Sequence, residues 1–242
     1  MKKIIILITG QESRLELSSK IKYLIAPLSE KYHVGVVLSL SRTNYFTNKH
    51  KYEGDFCNNC DIKKELNMVR YNENNIVYPK LKVNYRLVSM YDSQAKSKEF
   101  NYNRGKNHAR QFYTLRQSWP IIEELNPDIL IRIRDDAMLS APLNITEYAF
   151  HDLSCLNKCI VTATDNTWGG INDKFAIVSK KAIETYLCQP FKIYNSNKND
   201  YDRSIHNPET FLKYVYSNSG ITLLVTNITI RIEGPTDKFK NV

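Results

Sequence analysis

No apolar run in this chain approaches the length of a membrane span: the longest, such as Ile4–Ile8, fall far short of the roughly 20 residues a spanning helix needs. Cysteine is sparse and odd in number. Five residues give no even disulfide framework, which points to a reducing compartment, here read as the cytoplasm. The Asn-Ile-Thr sequons at Asn144 and Asn227 are then chance matches. Glycine is scarce, eight in 242 residues, so the pair Gly169-Gly170 stands out. No GxxxxGK[ST] loop is present, which excludes the P-loop class of phosphate binders. The absence of an internal repeat excludes solenoids and propellers. Acidic residues are in deficit, 25 against 34 lysines and arginines, for a net charge of +9. Such a balance favours anionic partners. The motif spacings of duplex-binding proteins are missing, however, and the densest basic region, Lys96 to Arg110, is interleaved with Asn, Ser and Gly like a solvated loop. Nucleic acid is therefore not the expected partner.

What is present is ordinary soluble composition, 42% hydrophobic and 24% charged, in a chain long enough for one sizeable core. A single domain over residues 1–242 is expected. The N-terminal lysines and apolar run stop at Thr9-Gly10-Gln11-Glu12 without a small-residue cleavage site, so a buried first strand is expected rather than a leader. Strand-like and helical patterns then alternate, the mark of βαβ units around a mostly parallel sheet. Strands are predicted at Lys3–Thr9, Val34–Leu40, Leu81–Met90, Lys158–Thr164, Phe175–Ser179, Ile221–Val225 and Thr229–Ile232. Helices are predicted at Leu15–Tyr32, near Ala109–Leu125, at Lys180–Leu187 and at Glu209–Ser217. The last should have Pro208 in its first turn and Asn207 as its cap. Residues 41–78 read as a polar excursion with a short helix at Ile62–Val69, Asp92–Asn107 as a loop, and 235–242 as a frayed tail.

The most telling stretch is Asp128 to Leu139, an apolar strand that turns polar and ends in two adjacent carboxylates. Alternation on a pleated strand puts Ile129, Ile131 and Ile133 on one face. Leu130, Arg132, Arg134 and, if the extension continues, Asp136 take the other. Guanidinium groups on a buried strand need anionic partners, and Asp135 and Asp136 fall at a strand C-terminus, where open α/β sheets bind ligands. Such a site suits an anion held through a divalent cation, Mn²⁺ or Mg²⁺, with one or two carboxylates and a diphosphate as ligands. A structural ion-pair network is the plain alternative.

The order of motifs resembles nucleotide-sugar glycosyltransferases of the GT-A fold, in particular the small bacterial and large-DNA-virus enzymes that build surface glycans. It runs from Thr9-Gly10-Gln11 with Arg14, through Gln111-Phe112-Tyr113 and Arg132-x-Arg134-x-Asp136, to Trp168-Gly169-Gly170-x-x-Asp173. The resemblance spans most of residues 3–232. It implies an α/β, GT-A-like (Rossmann-like), mostly parallel sheet flanked by helices. It also implies transfer of a sugar from a nucleoside diphosphate donor, UDP as first guess, to a glycan or other hydroxyl acceptor. On that basis Thr9, Gly10, Gln11 and Arg14 line the nucleotide pocket, and Arg110 and Gln111 reach toward ribose or phosphates. Trp168 offers a stacking face, Gly169 and Gly170 leave room for the sugar, and Asp173 bonds sugar hydroxyls. Where the family usually has Asp-x-Asp, this chain has Asp135-Asp136-Ala137. Which carboxylate holds a metal, and whether one is obligatory, stays open on the sequence. If the reaction inverts, Asp173 or Glu209 is the general base, although a carboxylate in a first helical turn also favours the helix dipole.

Cys57-x-x-Cys60 has no second cysteine pair to complete a four-ligand zinc site and reads as a reduced loop. Two rivals share the same carboxylates: a nucleotidyl- or phosphotransferase, and a non-catalytic nucleotide- or glycan-binding module.

Overall fold

A computed structural model describes residues 1–11, 15–41, 69–71, 81, 98–143, 145, 158–163, 167–196, 205 and 207–232, with side chains placed outside 69–71, 98–104 and 232. Arg14, Cys57, Cys60, the tail and the predicted strand beyond Leu81 lie outside the described residues, as does the predicted helix before Val69.

The first strand, β1 (Lys3–Gln11), is a run of isoleucine and leucine buried on both faces, as a central strand covered on both sides must be. It pairs in parallel with β2 (His33–Ser41) and with β4 (Ile129–Arg134), and β2 pairs with the short β3 (Val69–Tyr71). Beyond β4 the sheet continues through β7 (Phe175–Ser179) and β6 (Cys159–Ala163) to β8 (Thr222–Thr226), giving the order 3-2-1-4-7-6-8. Only β7 is reversed, antiparallel to both β4 and β6. This is the mostly parallel α/β sheet that the alternating pattern and the resemblance imply. A separate ribbon pairs β5 (Ala137–Leu139) with β9 (Ile230–Ile232).

Alternation along β1 and β4 divides the core in two, as read from the sequence. Ile4, Ile6, Ile8, Ile129, Ile131 and Ile133 pack under α1 (residues 18–29) and the β5–β9 ribbon. Ile5, Leu7 and Leu130 face the helical layer on the opposite side. That layer holds α2 (Lys98–Gln117), α3 (Trp119–Leu125), α4 (Ile183–Asn195, led in by a 3₁₀ turn at Lys180–Ala182) and α5 (Pro208–Ser217).

Several expectations change; the helix expected at Lys180–Leu187, for one, runs on to Asn195. The loop read at Asp92–Asn107 is helical from Lys98, because tertiary packing overrides a weakly helical composition. Tyr194 of α4 donates its hydroxyl to the Gly105 carbonyl at 3.1 Å and holds this part of α2 in place. The helix expected through Leu125 is broken at Ser118, since Pro120 cannot supply an amide to the preceding turn. Helix α1 is shorter than expected and contains a π segment, Ile21–Ile25, just ahead of Pro27. Proline lacks the amide that would bond the Tyr23 carbonyl, and the Leu143 amide does so instead at 2.9 Å.

Asn207 caps α5 as expected. Its side chain accepts from the Thr210 amide at 2.7 Å, and the Thr210 hydroxyl answers to the Asn207 amide, a reciprocal capping box. Its Nδ2 also donates to the Trp168 carbonyl at 3.1 Å, so one side chain ties a loop to a helix start. Replacing Asn207 with alanine should cost about 1–2 kcal/mol and lower the melting temperature by roughly 2–4 °C per kcal/mol. A thermal melt with no shift would show that this cap carries no stability.

Candidate active site

In the strand order 3-2-1-4, connections leave β1 toward β2 on one side while β4 lies on the other, which makes the C-terminal ends of β1 and β4 the switch point of the sheet. Because β7 is reversed, the residues just before it, Asp173 and Lys174, arrive at the same edge. Three segments distant in sequence therefore meet: Thr9–Gln11, Arg132–Asp136 and Asn172–Lys174.

Arg132 lies beneath this meeting point, 2% exposed, facing the helical layer with Leu130. Its Nε donates to Thr9 Oγ1 at 3.0 Å, Nη1 donates to the Asp173 carbonyl, and the guanidinium also bonds the Tyr186 phenol. Thr9 and Arg132 thus support the site from within and are closed to a ligand, which differs from the pocket-lining role the resemblance implies. Burial pushes the Tyr186 hydroxyl above its usual range, with the Arg132 charge working against it.

Arg134, two residues on, reaches the mouth of the site with a side chain 20% exposed. It forks onto Asp136, Nε to Oδ1 at 2.5 Å and Nη2 to Oδ2 at 3.0 Å, and its Nη1 lies 3.5 Å from Asp173 Oδ2. Burial by itself would favour losing the proton, but the Asp136 and Asp173 carboxylates outweigh it and hold Arg134 fully charged.

Asp173 is the most heavily counter-charged group. Lys174 Nζ donates to Oδ1 at 2.9 Å and Gln111 Nε2 to Oδ2 at 3.2 Å, while Gln111 also reaches the Asp173 carbonyl at 3.3 Å. Burial alone would raise this carboxyl, yet Arg134, then Lys174 and Arg132, hold it well below the usual carboxylate range. Such a group stays ionised and accepts hydrogen bonds but is a weak proton acceptor. Gln111 therefore joins the site as expected. Its neighbour Arg110 donates Nη1 to Asn107 Oδ1 at 3.1 Å on its own helix.

The two adjacent aspartates serve different ends. Asp135 is fully buried, its Oδ2 accepts from the Gln11 amide at 2.9 Å, and a Cβ at position 10 would lie 2.1 Å from its Oδ1. Gly10, with φ of +143°, is thus required by the protein's own carboxylate, where the sequence suggested approach of a ligand. Asp136 is the member of the pair set on Arg134 beside Asp173.

The loop ahead of Asp173 is docked on α5. A Cβ at Gly170 would lie 2.0 Å from the Glu209 backbone, the Ile171 amide donates to the Glu209 carbonyl at 3.2 Å, and the Gly170 amide to Thr167 at 2.6 Å. The absent side chain at Gly170 thus makes room for the start of α5. Trp168 and Gly169 both have left-handed backbones, φ of +44° and +83°, and the Trp168 side chain is 61% exposed. A bulky residue in that conformation, left in water, gains nothing for folding. It is not a core tryptophan. Glu209 sits in the first turn of α5 beside this loop, largely buried.

Sequence reasoning missed Lys174 and Lys20. Lys174 follows a named aspartate and was readable as its partner; Lys20, between Ser19 and Ile21 and two residues before Lys22, left no signal.

No family model and no curated protein matches this chain. Similar solved structures include the glycosyltransferase GlyE of Streptococcus pneumoniae TIGR4, 8% identical over 93% of this chain and 45% of that one, with a TM-score of 0.47. A glycosyltransferase involved in glycosylation of the major capsid of PBCV-1 is 16% identical over 93% and 82%, with a TM-score of 0.44. A putative glucose-1-phosphate thymidylyltransferase of Bacillus anthracis is 10% identical over 95% and 89%, with a TM-score of 0.43. The chain spans less than half of the pneumococcal protein's length. Likeness at this level carries no statement of activity, which rests on the residues of the site.

Because the folded carboxyl of Asp173 is depressed, the stability it contributes is present above its unfolded value, about pH 4, and is lost as pH falls below that. The parent should melt above Asp173→Asn by a constant margin from pH 8 to pH 5, and the margin should shrink below about pH 4. A margin that widens toward acid would contradict the ion-pair geometry.

Proposed function

We propose that the protein is a glycosyltransferase that moves a sugar from a nucleoside diphosphate donor, UDP first, to a hydroxyl of a glycan acceptor, acting as a single cytoplasmic domain. The reading is carried by one observation: Arg134, Asp136 and Asp173 are interlocked at the switch point of the sheet, next to the Gly10 turn. Ligands of open α/β sheets bind there. Among the described residues no helix is long and apolar enough to cross a membrane.

Charge balance at this point favours a cation that travels with the donor. Among the described residues Arg134 and Lys174 are already paired with Asp136 and Asp173, so their charge is largely balanced before a diphosphate arrives. Among the described residues no cluster of three His, Cys, Asp or Glu side chains suits a metal by itself. Mg²⁺-like ions need less than that: one or two carboxylates with the substrate's phosphates suffice. Asp136 fits that role, with Asp135 closed behind Gly10. Bound there, Mn²⁺ or Mg²⁺ would neutralise charge on the diphosphate.

The chain's own groups supply the rest. As the bond from the anomeric carbon to the diphosphate breaks, negative charge grows on the leaving oxygen, and Arg134, held charged at the mouth, stabilises it. Asp173, ionised and fixed by Lys174 and Gln111, accepts from sugar hydroxyls and orients the ring. Its low proton affinity leaves Glu209 as the base that takes the acceptor proton in an inverting transfer. The exposed Trp168 beside Glu209 offers its ring face to the sugars.

Incubated with nucleotide sugars and Mn²⁺, the protein should release nucleoside diphosphate. Pyrophosphate would instead indicate a nucleotidyltransferase, and no release a binding module. UDP with Mn²⁺ should raise the melting temperature, by mass action on the folded state. Mn²⁺ alone should do so far less, and Asp136→Asn should lose most of the effect; an unchanged shift in that variant would remove Asp136 from the metal.

Glu209→Gln should bind UDP and Mn²⁺ like the parent while transfer falls by a factor on the order of 10² to 10⁴. Transfer at the parental rate would discard Glu209 as base.

A further inference from the structure

Lys20 is 0% exposed, on the side of the sheet away from Arg132, Arg134 and Asp173, among Leu17, Leu24 and Ile25. A lysine is costly to bury, and folding alone would be served by an apolar residue of its length. Its ammonium has three hydrogens and meets three backbone carbonyls: Glu16 at 2.5 Å, Ala137 at 2.7 Å and Asp135 at 2.9 Å. The Glu16 carboxylate lies 3.5 Å away and is itself held by Ser19, whose amide and hydroxyl donate to it at 2.9 and 2.6 Å.

Two of those three carbonyls belong to the residues on either side of Asp136. The chain turns at Asp135-Asp136 between β4 and β5, and a turn leaves carbonyls without a sheet partner. Lys20 takes both from behind, while the Glu16 amide adds a further bond to the Asp135 carbonyl at 3.0 Å. On the ligand side the Asp135 carboxylate is pinned by the Gln11 amide and by Gly10. The peptide plane before Asp136 and the one after Ala137 are thus fixed from the core, so the backbone that carries the Asp136 side chain is held between two anchored points.

We propose that Lys20 is a positioning residue for the donor site: by gripping the backbone before and after Asp136 from the core, it sets the Asp136 carboxylate where Arg134 and a donor-borne cation meet it. It touches no substrate. The inference rests on the donor-site reading for its consequence, and on backbone geometry alone for its mechanism. Outer supports of this kind change ligand affinity by roughly 10- to 100-fold when removed.

The test compares Lys20→Met with Leu24→Ala, a cavity variant on the same helix and in the same core that leaves the turn's bonds intact. Both should melt below the parent. At a temperature well under both transitions, amide hydrogen exchange should quicken across residues 135–137 in Lys20→Met alone. Calorimetric affinity for UDP with Mn²⁺ should fall roughly 10- to 100-fold in Lys20→Met and stay near the parental value in Leu24→Ala. Glu16→Ala, which removes the partner carboxylate of Lys20 together with its two bonds from Ser19, serves as the milder variant and should move both readouts in the same direction. Equal exchange and equal affinity in Lys20→Met and Leu24→Ala overturn the proposal. Should Lys20→Met not fold, parental values in Glu16→Ala overturn it. If the parent itself binds no nucleoside diphosphate, the transferase reading fails, and the exchange measurement then decides alone whether Lys20 holds the turn.

Discussion

The burial of one guanidinium organises this protein. Arg132 stands in the middle of the central strand of the sheet, where unpaired charge is least tolerated, and its hydrogen bonds each stabilise by about 1.5–3 kcal/mol when the donor is charged. Satisfying it draws in Thr9 from β1, the carbonyl of Asp173 from the approach to β7 and the phenol of Tyr186 from α4. Those are the segments that border the site. Once they are drawn together, Arg134 two residues on has no choice of neighbours: Asp136 and Asp173 are within its reach and keep it charged. The functional cluster is a consequence of a packing requirement one layer below it.

A second layer of support comes from the opposite face. Where Arg132 works among the helices, Lys20 works beneath α1, and the strand that carries Arg132 ends in the turn that Lys20 grips. Two buried cations on opposite faces of the sheet thus constrain one continuous stretch, Leu130 to Ile133 being held by pairing and Arg134 to Ala137 by side chains. Electrostatic preorganisation of this sort reduces the rearrangement needed when a charged ligand arrives.

Much of this was legible in the sequence where a periodic pattern had one physical cause. The alternation in Asp128–Arg134 divided the core correctly, because a two-residue period on a buried strand leaves no other assignment. Asn207-Pro208 marked a helix start, since cap chemistry is local. The sequence misled where long-range contacts decide. Residues 98–107 looked like a solvated loop because nothing local favours a helix there, and the bond from Tyr194 to Gly105 is invisible at a separation of 89 residues. At Gly10 and Gly170 the space a Cβ would need is taken by the protein's own Asp135 carboxylate and Glu209 backbone. Glycine reports that something comes close without saying what. Lys20 was invisible because two of its three carbonyl acceptors are main-chain atoms more than a hundred residues away.

The reversal of β7 has a consequence for how such a protein can change. Its register against β4, with Arg132 opposite Ala176, is fixed by the sheet, so the cation cluster is anchored to the ladder. The loop that precedes β7 is fastened instead at α5, through Gly170 and Asn207, and ends at Asp173. Residues can be exchanged around Trp168 without disturbing a single rung of the ladder. The charged half of the site is bound to the scaffold, while the exposed Trp168 side chain lies on no rung of the sheet, so what the rim presents can change without moving Arg134 or Asp136.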